Sequence, residues 1–96
     1  MARGGWVYIM TNKPHGVLYT GVTAHLTVRI DQHRNDKGAA FCRRYGLKML
    51  VYAEQHDEIV AAIAREKAIK AWKRQWKIEA IESINPDWRD LFDDLA

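Results

Sequence analysis

Residues 6–23 read WVYIMTNKPHGVLYTGVT, two runs of strand-forming residues on either side of a turn. Val7, Tyr8 and Ile9 favour extended backbone, so Trp6 to Thr11 is expected as a strand. Asn12-Lys13-Pro14-His15-Gly16 carries turn chemistry, and Val17 to Thr23 is expected as the second strand. A connection this short makes an antiparallel hairpin. If Tyr8 lies opposite an odd-numbered residue such as Tyr19 or Gly21, both phenols project from one face of the sheet. Gly21 then marks a point on that face with no side chain, where a ligand can approach the backbone.

Outward from the hairpin, Leu26 to Arg34 is expected as a short helix with Leu26 and Ile30 inward. Asn35-Asp36-Lys37-Gly38 ends it. Residues 39–46 are polar and basic and fit no element cleanly. Leu47 to Glu54 is expected as a third strand. A long helix follows over residues 57–78, capped by Asp57 and bent near Lys73. Asn85-Pro86-Asp87 stops it, and Trp88 to Leu95 forms a last short helix. The expected fold is α+β: a small, mainly antiparallel three-stranded sheet flanked by helices in the order β-β-α-β-α-α. No linker or composition shift divides residues 1–96, so one domain is expected.

One residue breaks the pattern of the long helix. Ile59, Ala62, Ile63, Ile69 and Trp76 recur at helical spacing and are expected to share one face, and Glu66 stands in the middle of it. A carboxylate aimed at a core needs an ion pair, a hydrogen-bond network or a metal ion. Arg65 and Lys70 are near enough for the first. Arg29 and His33, four residues apart, share a face of the short helix. Two phenols, a guanidinium, an imidazole and Glu66 are thus candidates for one site.

The 96 residues are 48% hydrophobic and 28% charged, an ordinary globular composition. No run is apolar enough to span a bilayer, and Trp6 to Met10 is too short for a signal-peptide core, so a cytoplasmic protein is expected. Cys42 has no second cysteine to pair with, and His15, His25, His33 and His56 lack zinc-type spacing with it. The net charge is +3. It is distributed unevenly: Arg65, Lys67, Lys70, Lys73, Arg74 and Lys77 crowd one helix, while Asp87, Asp90, Asp93 and Asp94 make the tail acidic. Such asymmetry suits a polyanionic partner, or simply a solvated helix face.

Taken together, the set resembles the GIY-YIG nuclease domain, especially its short stand-alone bacterial members. Trp6-Val7-Tyr8 corresponds to the first tag and Tyr19-Thr20-Gly21 to the second. The arginine in the next helix, the histidine one turn later, the glutamate in the long helix, Glu66-Lys67-Ala68-Ile69-Lys70-Ala71-Trp72 and Asn85-Pro86-Asp87-Trp88 all fit. The likeness runs from about residue 5 to 92. Neither tag is literal, but both tyrosines and the second glycine are kept. The asparagine that many members carry after the glutamate has only Asn85 as a counterpart, which local sequence reads as a helix cap.

The resemblance implies hydrolysis of a phosphodiester in nucleic acid, with DNA as the expected polymer and one Mg²⁺ or Mn²⁺ ion held by Glu66. It also implies a place in DNA repair or recombination. Tyr8, Tyr19, Arg29, His33 and Glu66 would be the catalytic set. Arg29 would clamp a phosphate oxygen, and Tyr19 or His33 would take the proton of the attacking water. Arg43, Arg44, Lys67, Lys70, Lys73 and Arg74 would hold the nucleic-acid backbone. Trp72 and Trp76 are expected in the core rather than stacked on bases. Two other functions are open: a nucleic-acid-binding module with little turnover, and a protein-interaction domain anchored by Trp88, Phe92 and the acidic tail.

Overall fold

A computed structural model of the chain describes residues 4–95, so the ends of the expected 1–96 domain, residues 1–3 and 96, lie outside the described residues. The hairpin forms as its sequence dictates. Strand β1 (Gly5–Thr11) pairs antiparallel with β2 (Leu18–Thr23), and Tyr8 lies opposite Gly21. Strand β3 (Met49–His56) pairs antiparallel with the other side of β1, giving the order β2-β1-β3. The apolar β1 is therefore central and buried along most of its length. Ile9 pairs with Tyr52 but Met10 with Leu50, so Val51 is an extra residue, a β-bulge that turns Val51 and Tyr52 to the same side.

The sheet has a core on each face. On one, Val7, Ile9, Val51 and Tyr52 meet Ala62 and Ile69 of α3 (Ile59–Lys70) and Ile78 and Ile81 of α4 (Arg74–Ile84). On the other, Tyr8, Met10 and Leu50 meet Leu26 and Ile30 of α1 (Leu26–Arg34) and Cys42 of α2 (Ala40–Tyr45). Leu91, Phe92 and Leu95 of a closing 3₁₀ turn (Leu91–Leu95) pack on this second core. Each face buries apolar side chains against helices, as a small α+β sheet requires. No helix among the described residues is long and apolar enough to cross a membrane.

The structure corrects several expectations. Residues 40–45 form a helix, because Cys42 and Leu47 are apolar anchors and Gly46, at φ 66°, closes it. The Gly46 and Leu47 amides donate to the Arg43 and Cys42 carbonyls, the paired bonds of a Schellman ending. The long helix is two helices. Lys73 is extended, so α4 starts on a new axis and the periodicity of α3 does not carry into it. That is why Trp76 is exposed, while Trp72 packs against the core. Ile63 also faces solvent, so the inward face of α3 is Ala62, Glu66 and Ile69. The N-cap of α3 is Glu58, not Asp57, and it makes no side-chain cap bond. The helical part of the tail starts at Leu91, and Trp88 lies before it.

Candidate active site

Pairing fixes the first two groups. Tyr8 and Tyr19 stand on the same sheet face with ring centroids 6.4 Å apart. A methyl group on Gly21 would lie 2.5 Å from the Tyr8 hydroxyl. Gly21 therefore makes room for the Tyr8 phenol, which corrects the expectation that its bare backbone is left open to a ligand. Tyr8 is fully buried, and Tyr19 half-buried beside it. Burial, with the Tyr19 hydroxyl next, drives the Tyr8 pKa far above the ordinary phenol range, against a smaller opposing pull from Arg29. Tyr8 thus stays a neutral O–H group.

Helix α1 lays the next two groups against this pair. His33 is 2% exposed, and its Nε2 lies 2.9 Å from the Tyr8 hydroxyl. Its ring also meets Tyr19 edge-on at 5.8 Å between centroids. His33 Nδ1 is buried without a partner, and a methyl group on Gly38 would come within 2.2 Å of it. Tyr8 and His33 share this one hydrogen bond, given by the Tyr8 O–H to Nε2 or by Nε2–H to the Tyr8 oxygen according to the His33 tautomer. Burial first, and the Arg29 charge second, hold the His33 pKa below its usual value. Arg29 is half-buried and forms no ion pair among the described residues.

Glu66 comes from α3, in the layer on the opposite face of the sheet, beside edge strand β2. It is 8% exposed, and the Lys70 ammonium donates to its Oε2 at 2.7 Å. The same ammonium lies 6.0 Å from the Tyr19 ring centroid, so the ion pair adjoins the phenols. The hydrogen bond to Glu66 is the main reason the Lys70 pKa is raised. A second inward carboxylate, Glu54, makes the contrast. It accepts from Tyr52 at 2.9 Å and Arg65 at 3.0 Å, and contacts His56 at 2.8 Å. Burial alone would raise its pKa, but these partners hold it below the usual range. Glu54 is saturated; among the described residues Glu66 pairs only with a half-exposed lysine.

The expected nucleic-acid contacts divide. Arg43, Arg44, Lys67 and Lys73 are exposed, with Lys73 over the Trp76 ring. Lys70 is held by Glu66, and the Arg74 guanidinium donates to the carbonyls of His15 and Gly16 at 2.7 and 2.6 Å, clamping the hairpin turn. Asn85 is buried far along the chain from these groups and caps α4, bonding the Val51 carbonyl and both backbone groups of Arg89. Trp88 is buried with its indole N–H on Glu82, and Phe92 lies under the Arg34 guanidinium. Neither is a free anchor, which removes the footing of a protein-interaction domain built on them. Sequence reasoning missed Phe41, whose ring stacks on Tyr19; its signal was the Phe41–Tyr45 spacing of four in a segment left unassigned. It also missed the Tyr52–Glu54–His56 alternation along β3, which places three polar groups on one sheet face.

The family described as the GIY-YIG catalytic domain matches residues 4–79. The chain is 38% identical over 77 residues to a UPF0213 protein of Staphylococcus haemolyticus, covering 80% of this chain and 93% of that protein. It is 40% identical over 78 residues to one of Clostridium perfringens (81% and 83% covered) and 34% identical over 77 residues to one of Photorhabdus laumondii (80% and 74% covered). No solved structure matches. A hairpin carrying both tyrosines, helices that bring arginine, histidine and glutamate around them, and a domain match over most of the described chain lead to one conclusion: the chain belongs to the GIY-YIG nuclease family.

Proposed function

We propose that this chain, acting as one domain, is a divalent-metal-dependent endonuclease that hydrolyses phosphodiester bonds in DNA. The observation that supports the reading is the Glu66–Lys70 pair, whose ammonium lies 6.0 Å from the Tyr19 ring, next to Tyr8, which is hydrogen-bonded to His33 and feels the Arg29 charge. The donor set fits one Mg²⁺ or Mn²⁺ ion. Glu66 offers a hard carboxylate, its present partner is itself a cation, and Mg²⁺ commonly takes one or two carboxylates, its own waters and substrate phosphate. Among the described residues no cluster of three or more His, Cys, Asp or Glu side chains supplies a fuller cage. When bound at Glu66, such an ion would supply charge neutralisation at the phosphate and the leaving oxygen.

The protein's own groups have separable tasks. Arg29, without an ion-pair partner among the described residues, suits a bidentate contact with non-bridging phosphate oxygens. Tyr8 is kept protonated by burial, and in the tautomer with the proton on His33 Nε2 its own hydrogen is available to the phosphate while His33 holds its oxygen from behind. His33 reaches the reacting atoms only through Tyr8, so it is a positioning residue. Tyr19, half-buried on the outer side, relays a proton: its hydroxyl accepts the proton of the attacking water and passes its own to solvent as the new P–O bond forms, and the leaving oxygen takes a proton from solvent as its bond to phosphorus breaks. A nucleic-acid-binding module with little turnover is the second reading, favoured by the short Lys70–Glu66 pair.

Glu66→Gln separates the two. The substitution is expected to lower Mg²⁺-dependent cleavage by at least about a hundredfold, the scale of losing one charge-stabilising group, while binding of the same oligonucleotides in EDTA persists. Equal cleavage by parent and variant would remove Glu66 from the reaction. A parent that binds but cuts nothing with Mg²⁺ or Mn²⁺ would favour the binding module.

A further inference from the structure

We infer that α2 is a base-stacking platform and that the site takes an unpaired nucleotide next to the scissile phosphate; this rests on the nuclease reading above and narrows its substrate class. Phe41 and Tyr45 are 42% and 44% exposed, although both belong to an aromatic row that begins in the site. Tyr19 stacks on Phe41 with centroids 6.0 Å apart and planes at 28°, and Phe41 meets Tyr45 at 4.8 Å. The row leads from the outer phenol of the site to solvent without a break. Arg43 and Arg44 flank it, both exposed, with the Arg44 guanidinium 5.5 Å from the Tyr45 ring centroid. Residues 39–48 contain no acidic residue.

Flat apolar rings beside guanidinium groups complement a nucleobase attached to phosphate. A base inside a duplex already has both faces covered by its neighbours, so it cannot use this surface. An unpaired base can, whether in a single strand or in the flank of a branch. The exposed Trp76 is a poorer platform. Glu79 lines the same groove, and the aromatic contact of Trp76 is with Trp72 rather than Tyr19.

The test measures binding in EDTA by fluorescence anisotropy, using a short labelled oligo(dT) and a fully paired duplex of equal length. Phe41→Ala is expected to weaken oligo(dT) binding about tenfold, the size of one base–aromatic stack, and to leave duplex binding unchanged. Tyr45→Ala is expected to act in the same direction. Phe41→Trp should retain binding, and Trp76→Ala should have no effect. Thermal melting checks each fold; because Tyr45 ends its helix, Tyr45→Ala keeps the test available if Phe41→Ala unfolds. The inference is overturned if both alanine variants bind oligo(dT) like the parent or lose single strand and duplex equally. It is also overturned if Phe41→Ala turns a self-associating protein into a monomer by sedimentation without changing oligo(dT) binding. Failure of the nuclease reading looks different: no metal-dependent cleavage, with Phe41-dependent oligo(dT) binding intact.

Discussion

His33 sits where a proton is unwelcome. Its ring is enclosed by Tyr8, Tyr19 and Gly38, and Arg29 adds a positive charge nearby. Its folded pKa is lowered, so the unfolded chain binds the proton more readily. The neutral ring's stability is present above the unfolded value of about 6.5 and is lost as pH falls through the folded pKa. Urea unfolding at pH 7.5 and 5.5 is expected to show a larger acid-side loss for the parent than for His33→Gln; parallel losses would refute the assignment. Lys70 is the other informative residue. Its side chain is half-exposed while that of Glu66 is nearly buried, and the i,i+4 contact between them is worth about 0.5 kcal/mol. Lys70→Ala should therefore tighten Mn²⁺ binding by about twofold, read by calorimetry, because the carboxylate loses its competing cation.

At the scale of elements, α4 holds the hairpin turn. Arg74 donates to two turn carbonyls, while the His15 ring lies 4.6 Å from that of Trp88 and contacts Glu82. Arg74→Ala is expected to cost about 1 kcal/mol of stability and to leave the salt dependence of DNA binding unchanged. Lys67→Ala, on the exposed side of α3, should do the reverse; measuring both Tm and anisotropy against salt on the two variants decides it. Before folding, Arg74 and Lys67 look alike, two cations in one basic run. Only the restart of the helix at Lys73 turns one toward the hairpin. The hairpin itself was legible because strand propensity and turn chemistry are local. Tyr8, Tyr19, Arg29, His33 and Glu66 stood out as candidates for one site because their spacing within each element is local too and because their order resembles a known family. That Glu66 comes from the layer opposite the tyrosines was not legible, and neither was helix α2, whose stability rests on packing Cys42 and on the bend at Gly46.

At the scale of the whole molecule, the C-terminal segment ties separate parts together. Asn85 joins the end of α4 to the bulged residue of β3 and to Arg89. Asp90 accepts from Arg34 of α1, Leu50 of β3 and Phe92 of the last turn. Asn85→Ala leaves buried backbone groups unpaired and is expected to cost about 2–3 kcal/mol, measured by denaturant unfolding. Because Asn85 lies outside the proposed catalytic set, single-turnover cleavage by the folded fraction should be unchanged; a lowered rate would bring Asn85 into the site.

The same two side chains have an effect beyond the fold of one copy. β3 ends the sheet on its side, and a terminal strand normally offers spare amides and carbonyls to any neighbouring chain. Here the Leu50 amide is engaged by Asp90, the Val51 carbonyl by Asn85, and the bulge distorts the line between them. A foreign strand seeking to extend the sheet meets a kinked border whose bonding groups near the start of β3 are already occupied.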